Sequence, residues 1–440
     1  MRPLYLYLWL TLPYMLRVFY RRTKVLNTQK NFKAQTIFVC NHPSAFIDPL
    51  IIANFHNPII HFMTRSDVFK PWLKPVTWAC HMVPIYRTAE DGSDSAEKNL
   101  ASFKDAIGIL QKKRSLIMFG EGYTDDVFIR SLKTMKKGTA RIAFGAMEAT
   151  NWKEDIKVQT IGVNYSDPTS FNCDLLLSAG PIIHLKDFQK TYEENPNKAA
   201  TQLTRELDKN LKDQITYVKD KALAPFVDQI MAITRKGMNH WHRDTRISLV
   251  KRWENSKATA QRVNDHYKAE DAQWTGLKSE LENYFNDQKK EKVNENWVYQ
   301  YSKSQNKNLL LRLLFLILLS PVFVLGFAHN FLAYILVKKL VEKMFRRKVF
   351  WSGVKLLLGT TIDFILNLPV IWLFYEFVYP SYWLGLAYFL TVPAISGVIA
   401  YNYALKFMDT VRITSVKKDI LEKFATRRKK IAEQLAVLGF

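Results

Sequence analysis

Cysteine is scarce: three in 440 residues, Cys40, Cys80 and Cys173, scattered and odd in number. That excludes a disulfide framework and any Cys-x-x-Cys metal site, and it fits a reducing compartment. No zinc-finger spacing and no RNA-recognition signature occurs, which argues against nucleic acid as a partner. No internal repeat is visible. The N-terminal MRPLYLYLWLTLPYMLRVFYRR lacks a small-residue cleavage site before Arg21, so it reads as a retained segment. Its uncharged run, Pro3 to Leu16, is short for a membrane span and reads as an aromatic-rich helix lying in the membrane interface. Acidic residues are outnumbered, 40 against 63 Lys and Arg, leaving a formal net charge of +23. Such an excess favours an anionic partner, either a phosphate-bearing substrate or the anionic lipids of a membrane's cytoplasmic face. At 48% apolar and 13% aromatic, the chain is not disordered throughout.

From Thr36 to about Pro181, β-type runs alternate with helix-like segments: TIFVC (36–40), IIHFM (59–63), MVPIY (82–86), SLIMF (115–119), VQTIGV (158–163) and CDLLLS (173–178), with Ser95–Gln111 and Gly138–Ala149 as helices between. This pattern predicts an α/β domain, a mixed sheet flanked by helices. From Asn197 to Asn306 the pattern turns long, charged and helix-period, and its interspersed acidic residues mark a solvated helix face. The last third is membrane-like. Leu313 to Ala328 and Phe377 to Leu405 carry no charge, and Leu356 to Tyr375 carries only Asp363. Basic residues bracket each run, so single crossings would leave one basic flank outside, against the positive-inside tendency. Two hairpins, turning near Gly326–Asn330 and Tyr379–Ser381, would keep every basic cluster on the cytoplasmic side. The expected organisation is therefore an interfacial helix in 1–30, the α/β domain in 31–195, a helical appendage in 196–306, membrane hairpins in 307–408 and a basic cytoplasmic tail in 409–440.

One short stretch, NHPSAFIDPL (41–50), puts His42 and Asp48 directly after an apolar strand. Asp48 followed by Pro49 reads as a helix start, Asp capping and Pro at the first position. That leaves His42 unexplained. An imidazole that takes a proton from a hydroxyl needs its other nitrogen held by an acceptor, and a turn between the two residues would supply one. Downstream, MVPIYR ends a strand with Arg87, a bidentate donor suited to phosphate. LIMFGEGYTDD ends a strand in Gly-Glu-Gly, where glycine permits close approach of backbone to a ligand. RSLKTMKKGTARIAFGA is a basic loop leading into a helix whose start at Gly138 favours anions. Singly, each has a plain reading as surface cation, turn or solvated lysine.

Together and in this order, the run from Asn41 to Pro181 resembles the glycerolphosphate and lysophosphatidate acyltransferases of phospholipid synthesis, over about a third of the chain. Their successive blocks correspond to His42 with Asp48, Val83–Arg87, Phe119–Gly122, Lys136–Arg141 and Ile161–Tyr165. Two departures stand out. Five residues separate His42 from Asp48, where the commoner pattern has four, and this resembles a subgroup with the wider spacing. Gly120 replaces the family's proline. The resemblance implies an acyltransferase fold and O-acyl transfer from acyl-CoA or acyl carrier protein to a phosphorylated glycerol acceptor, with no metal or cofactor. It implies His42 and Asp48 as the catalytic pair, and Arg87, Glu121, Gly122, Lys136 and Arg141 in substrate binding. Membrane segments suit lipid products. A lyso-aminolipid acceptor stays open, as does a thioesterase using Cys40, two residues before His42, or a scaffold that has lost turnover.

Overall fold

In the computed structural model, residues 2–27, 35–56, 59–87, 92, 94–122, 124–240, 246–303 and 307–440 are described, and the chain divides into two units. The first comprises 1–17, 22–168 and 175–219. Its elements are α1 (Pro3–Phe19), β1 (Arg22–Leu26), β2 (Thr36–Cys40), α2 (Ile47–Asn54), β3 (Ile60–Arg65), α3 (Lys74–Ala79), β4 (Met82–Ile85), α4 (Ser95–Gln111), β5 (Ser115–Phe119), α5 (Gly138–Ala149), β6 (Lys157–Tyr165), β7 (Asp174–His184), α6 (Gln189–Glu194) and α7 (Pro196–Asp213). The strands form one seven-stranded mixed sheet in the order β1-β7-β6-β2-β5-β3-β4. Strands β6, β2, β5, β3 and β4 run parallel, and β7 runs antiparallel to β6. All five residues of β2 are buried, as a central parallel strand requires.

Ile37, Val39, Leu116, Met118 and Val158 share a core with α4, α5 and α7. The last of these helices corrects a boundary. Sequence charge places the appendage from 196 onward, but Ala199, Leu203, Leu207 and Leu211 make a stripe at i, i+4 spacing that α7 buries in the sheet's core. Strand β1 was not among the expected strands; its alternating RTKVL is too short and too basic to stand out.

The second unit holds 18–21, 169–174 and 220–440. Its helices are α8 (Ala224–Thr234), α9 (Leu249–His266), α10 (Ala272–Lys290), α11 (Glu295–Ser302), α12 (Lys307–Met344), α13 (Trp351–Asn367), α14 (Pro369–Phe377), α15 (Tyr382–Ser415) and α16 (Lys418–Val437). Three stretches, Leu310–Met344, Lys348–Phe377 and Tyr382–Ser415, are long and apolar enough to cross a membrane. The turn expected near Gly326–Asn330 is absent: α12 runs through it unbroken. Gly326 serves a close helix contact instead. A Cβ there would collide with the Ser396 carbonyl of α15, and Asn330 Nδ2 donates to the carbonyls of Gly326 and Pro393, both at 2.9 Å.

Candidate active site

The parallel register of β6, β2 and β5 sets their carboxyl ends side by side, where open α/β sheets place ligands. His42 leaves the end of β2 and Glu121 leaves the end of β5. Asn41 locks the first of these loops to β6: its side chain donates to Val163 O at 3.0 Å and accepts from Val163 N at 2.7 Å. Residues 43–46 then make a tight turn whose Ser44 carbonyl accepts from both Ile47 N and Asp48 N, at 3.2 Å each. This turn absorbs the extra residue between His42 and Asp48.

Asp48 is not the helix cap that its sequence context suggests. Helix α2 starts at Ile47, and the Asp48 side chain reaches backward. His42 Nδ1–H donates to Asp48 Oδ2 at 2.9 Å, Ser44 N–H donates to the same oxygen at 2.8 Å, and Tyr165 O–H donates to Oδ1 at 2.6 Å. The carboxylate is wholly buried, which pushes its pKa up from the ordinary value, while these donors pull it back. The Phe119 ring stacks on the imidazole at 3.8 Å between centroids. With Nδ1 engaged, Nε2 is left to act on a proton in the cleft.

Glu121 bridges two loops. Its oxygens accept from the backbone N–H of His42 at 3.0 Å and of Lys133 at 3.1 Å. Burial raises its pKa, and the two amides oppose that. Gly122 adopts φ +77°, a conformation that only glycine takes without strain, and it lies against the Lys136 side chain. A Cβ at Gly120 would press on Met135. The two glycines therefore let the basic loop approach the strand end. Arg87 Nη2 donates to the Gly122 carbonyl. Lys136 and Arg141 are exposed, and Arg141 lies in the first turn of α5.

An open cleft lies over His42. Neither Arg87, Lys136 nor Arg141 lines it. The cations that do are Arg130 and Lys133, the latter paired with Asp125 at 3.1 Å. The opposite wall is Ile215 and Thr216. They are held there by Asn164, which donates to Gln214 O at 2.9 Å and accepts from Thr216 N at 3.3 Å, while Val218 N–H donates to Arg130 O at 2.8 Å. Sequence reading singled out the basic loop that begins at Arg130 but named Lys136 and Arg141 from it rather than Arg130 and Lys133, and it missed Ile215 and Thr216, which no periodic signal connects to the loop. Cys40 is fully buried, and burial together with the Asp48 charge drives its thiol well above the ordinary range, which removes it as a nucleophile. Among the described residues, no group of three or more His, Cys, Asp or Glu could hold a metal ion.

A histidine thus stands at the carboxyl end of a parallel sheet, held by a buried carboxylate. The Acyltransferase family model matches residues 19–164, which contain this pair, and so supports an acyltransferase. Among solved structures, the 1-acyl-sn-glycerophosphate (LPA) acyltransferase PlsC from Thermotoga maritima is similar at 16% identity and a TM-score of 0.32, over 44% of this chain and 74% of that one. No curated protein matches the chain.

Proposed function

We propose that the protein is a membrane-bound O-acyltransferase moving a fatty acyl group from acyl-CoA or acyl carrier protein to a glycerol-phosphate-type acceptor. The observation that carries this reading is the 2.9 Å His42–Asp48 bond, which engages Nδ1 of a histidine that lines the cleft and leaves Nε2 for the substrate. Nε2 takes the proton of the acceptor hydroxyl as its oxygen attacks the thioester carbonyl. The tetrahedral intermediate then expels the thiolate, which recovers that proton from the imidazolium. Asp48 fixes the imidazole's tautomer and stabilises its charged form. Glu121, Gly122 and Arg87 shape the loop beside the base, and the acceptor phosphate meets the basic side of the cleft, with Lys136 and Arg141 farther out. The apolar helices keep acyl chains out of water, since each buried methylene gains about 0.8 kcal/mol.

Product analysis with labelled acyl-CoA, offered against glycerol-3-phosphate, 1-acyl-glycerol-3-phosphate, dihydroxyacetone phosphate and a lyso-aminolipid, tests the reading. Transfer to a phosphorylated glycerol is expected. His42→Ala and Asp48→Ala should each lower it by about 10²–10⁴-fold in folded protein. An Asp48→Ala enzyme that stays active would overturn the mechanism.

The cleft also separates its cations by role. Arg130→Ala should raise the KM for the phosphorylated acceptor far more than that for the acyl donor, because Arg130 lines the cleft. Arg87→Ala, whose guanidinium is bound to the Gly122 carbonyl, should lower kcat instead. Steady-state kinetics with each substrate varied in turn distinguishes the two, and the reverse pattern would assign the phosphate to Arg87.

A further inference from the structure

The first unit exposes an aromatic face that the catalytic site does not use. Helix α1 has one buried side: Tyr5, Leu12, Met15 and Leu16 are buried, and its start is tied to β3, where the Tyr5 hydroxyl accepts from Ile60 N–H at 3.0 Å. Its other side presents Leu6, Leu10 and Tyr14 at i, i+4 spacing, with Tyr7 beside them, all exposed.

A second segment lies against the start of α1. In KPWLKPVTW (70–78), two short helical turns begin at Pro71 and at Lys74–Pro75, and they leave Trp72 72% and Trp78 58% exposed, with Val76 also outward. The Arg2 guanidinium lies over the Trp78 ring, 4.2 Å from its centroid, and donates to the Trp78 carbonyl. Exposed tryptophans are costly in water, and the charges around them indicate their partner's chemistry. Neither α1 nor residues 70–78 contains a carboxylate, whereas Lys70, Lys74 and Arg17 are exposed around the aromatics. Aromatic rings with an apolar body and a polar edge, rimmed by cations, with the one nearby carboxylate, Asp67, already paired with Arg65 at 2.8 Å, match the headgroup layer of an anionic bilayer.

We infer that α1 and residues 70–78 form one two-part docking face that seats the first unit in an anionic lipid surface. Clasped by Arg2, the two segments set a shallow, fixed depth, with α1 in the plane and Trp72 and Trp78 as a second anchor. This deepens the membrane reading proposed above but does not depend on the acyl-transfer chemistry, so its test does not use activity.

Because Cys40, Cys80 and Cys173 are all buried, a thiol-reactive fluorophore can be placed singly at Leu10→Cys, Trp72→Cys or Val76→Cys in the full-length protein, with Ala101→Cys as the control on α4. Vesicles of equal phosphatidylcholine and phosphatidylglycerol would carry a nitroxide-labelled lipid with its quencher near the headgroup. Quenching is expected at positions 10, 72 and 76 and not at 101. Lys70→Glu with Lys74→Glu should abolish it at 72 and 76 while position 10 stays quenched. Val76→Cys is the mild substitution, and its melting curve checks that the fold survives. Protein that floats with vesicles yet shows no quenching at 72 and 76 overturns the inference and leaves membrane association intact. Protein that does not float overturns the membrane reading itself. Protection of 72 and 76 from an aqueous quencher in detergent, growing with protein concentration, would mean that a second copy of the chain covers the face, and would also overturn it.

Discussion

Both oxygens of the Asp48 carboxylate are occupied, and the donor on Oδ1 is the phenol of Tyr165, itself 0% exposed and 117 residues away in sequence. This bond stabilises the charged carboxylate against its burial. Without it, the Asp48 pKa rises further and the ionised form that orients His42 is lost at a higher pH. Tyr165→Phe should therefore shift the acidic limb of kcat/KM upward by about 1–2 pH units, a hydrogen bond to a charged group being worth about 1.5–3 kcal/mol. The KM of either substrate should barely move, since Tyr165 is wholly buried and does not line the cleft. An unshifted profile would reduce Tyr165 to a packing residue. His42 and Asp48 could be read from sequence because both sit in one ten-residue stretch, where a turn alone brings them together. Tyr165 could not, because only the pairing of β6 with β2 carries it there. The basic loop from Arg130 was visible in the sequence, but which of its cations line the cleft was not, because the fold of the loop decides that. Glu121 was found as a residue, but its contacts are with backbone amides.

Among the elements, those with a clean period were legible: Ser95–Gln111 and Gly138–Ala149 form with the expected bounds, as alternation of apolar and polar faces requires. Gly326 misled because glycine marks both turns and close helix contacts, and the sequence does not say which. The edge where α1 meets β3 and β4 conceals a different property. His61 and His81 are buried there, and His56 is buried against Phe38 of β2; burial first of all lowers His61 to about 3 and His81 and His56 to about 4 each, and for His61 and His81 the neighbouring Arg2 and Arg114 charges add to the effect. Unfolded, each would take a proton near pH 6.5, while the folded chain excludes it until far lower pH. Stability thus falls as pH drops below 6.5, by up to about 1.4 kcal/mol per pH unit per histidine. Melting temperature should decline from pH 6.5 to 5, above the range where most carboxylates titrate. His56→Phe, which keeps the stack on Phe38 and removes a buried nitrogen lacking a partner, should make the decline shallower. A flat wild-type profile in calorimetry over that window would contradict the assignment.

For the chain as a whole, the second unit constrains how many times its three long apolar stretches could cross a bilayer. Along α12 and α15, Phe315 meets Lys406, Phe323 meets Tyr403 and Asn330 meets Pro393, so the two helices run antiparallel. The chain therefore enters and leaves the apolar region at one end. There Trp297 Nε1–H donates to Asp409 Oδ1 at 2.8 Å. Helix α16 is tied to the helices before the region as well: Arg428 pairs with Glu295 at 2.6 Å and Arg427 with Asp287 at 2.8 Å. Three single crossings would put α16 and α10 on opposite sides of the membrane and break these pairs, leaving Glu295 buried without its cation, which typically costs about 3–5 kcal/mol. An even number of crossings, or a re-entrant path with none, keeps them, and it agrees with the basic flanks, which favour one side. Cysteines introduced singly at Ser279 on α10, Ser415 at the end of α15 and Ser381 at the turn before it can be challenged in intact cells with a membrane-impermeant thiol reagent. With the basic flanks cytoplasmic, Ser279 and Ser415 should both stay unlabelled until the cells are permeabilised, and only Ser381 can react from outside. Labelling of Ser415 but not Ser279 would separate two segments that the buried Arg428–Glu295 pair holds together, and would rule out this path of the chain.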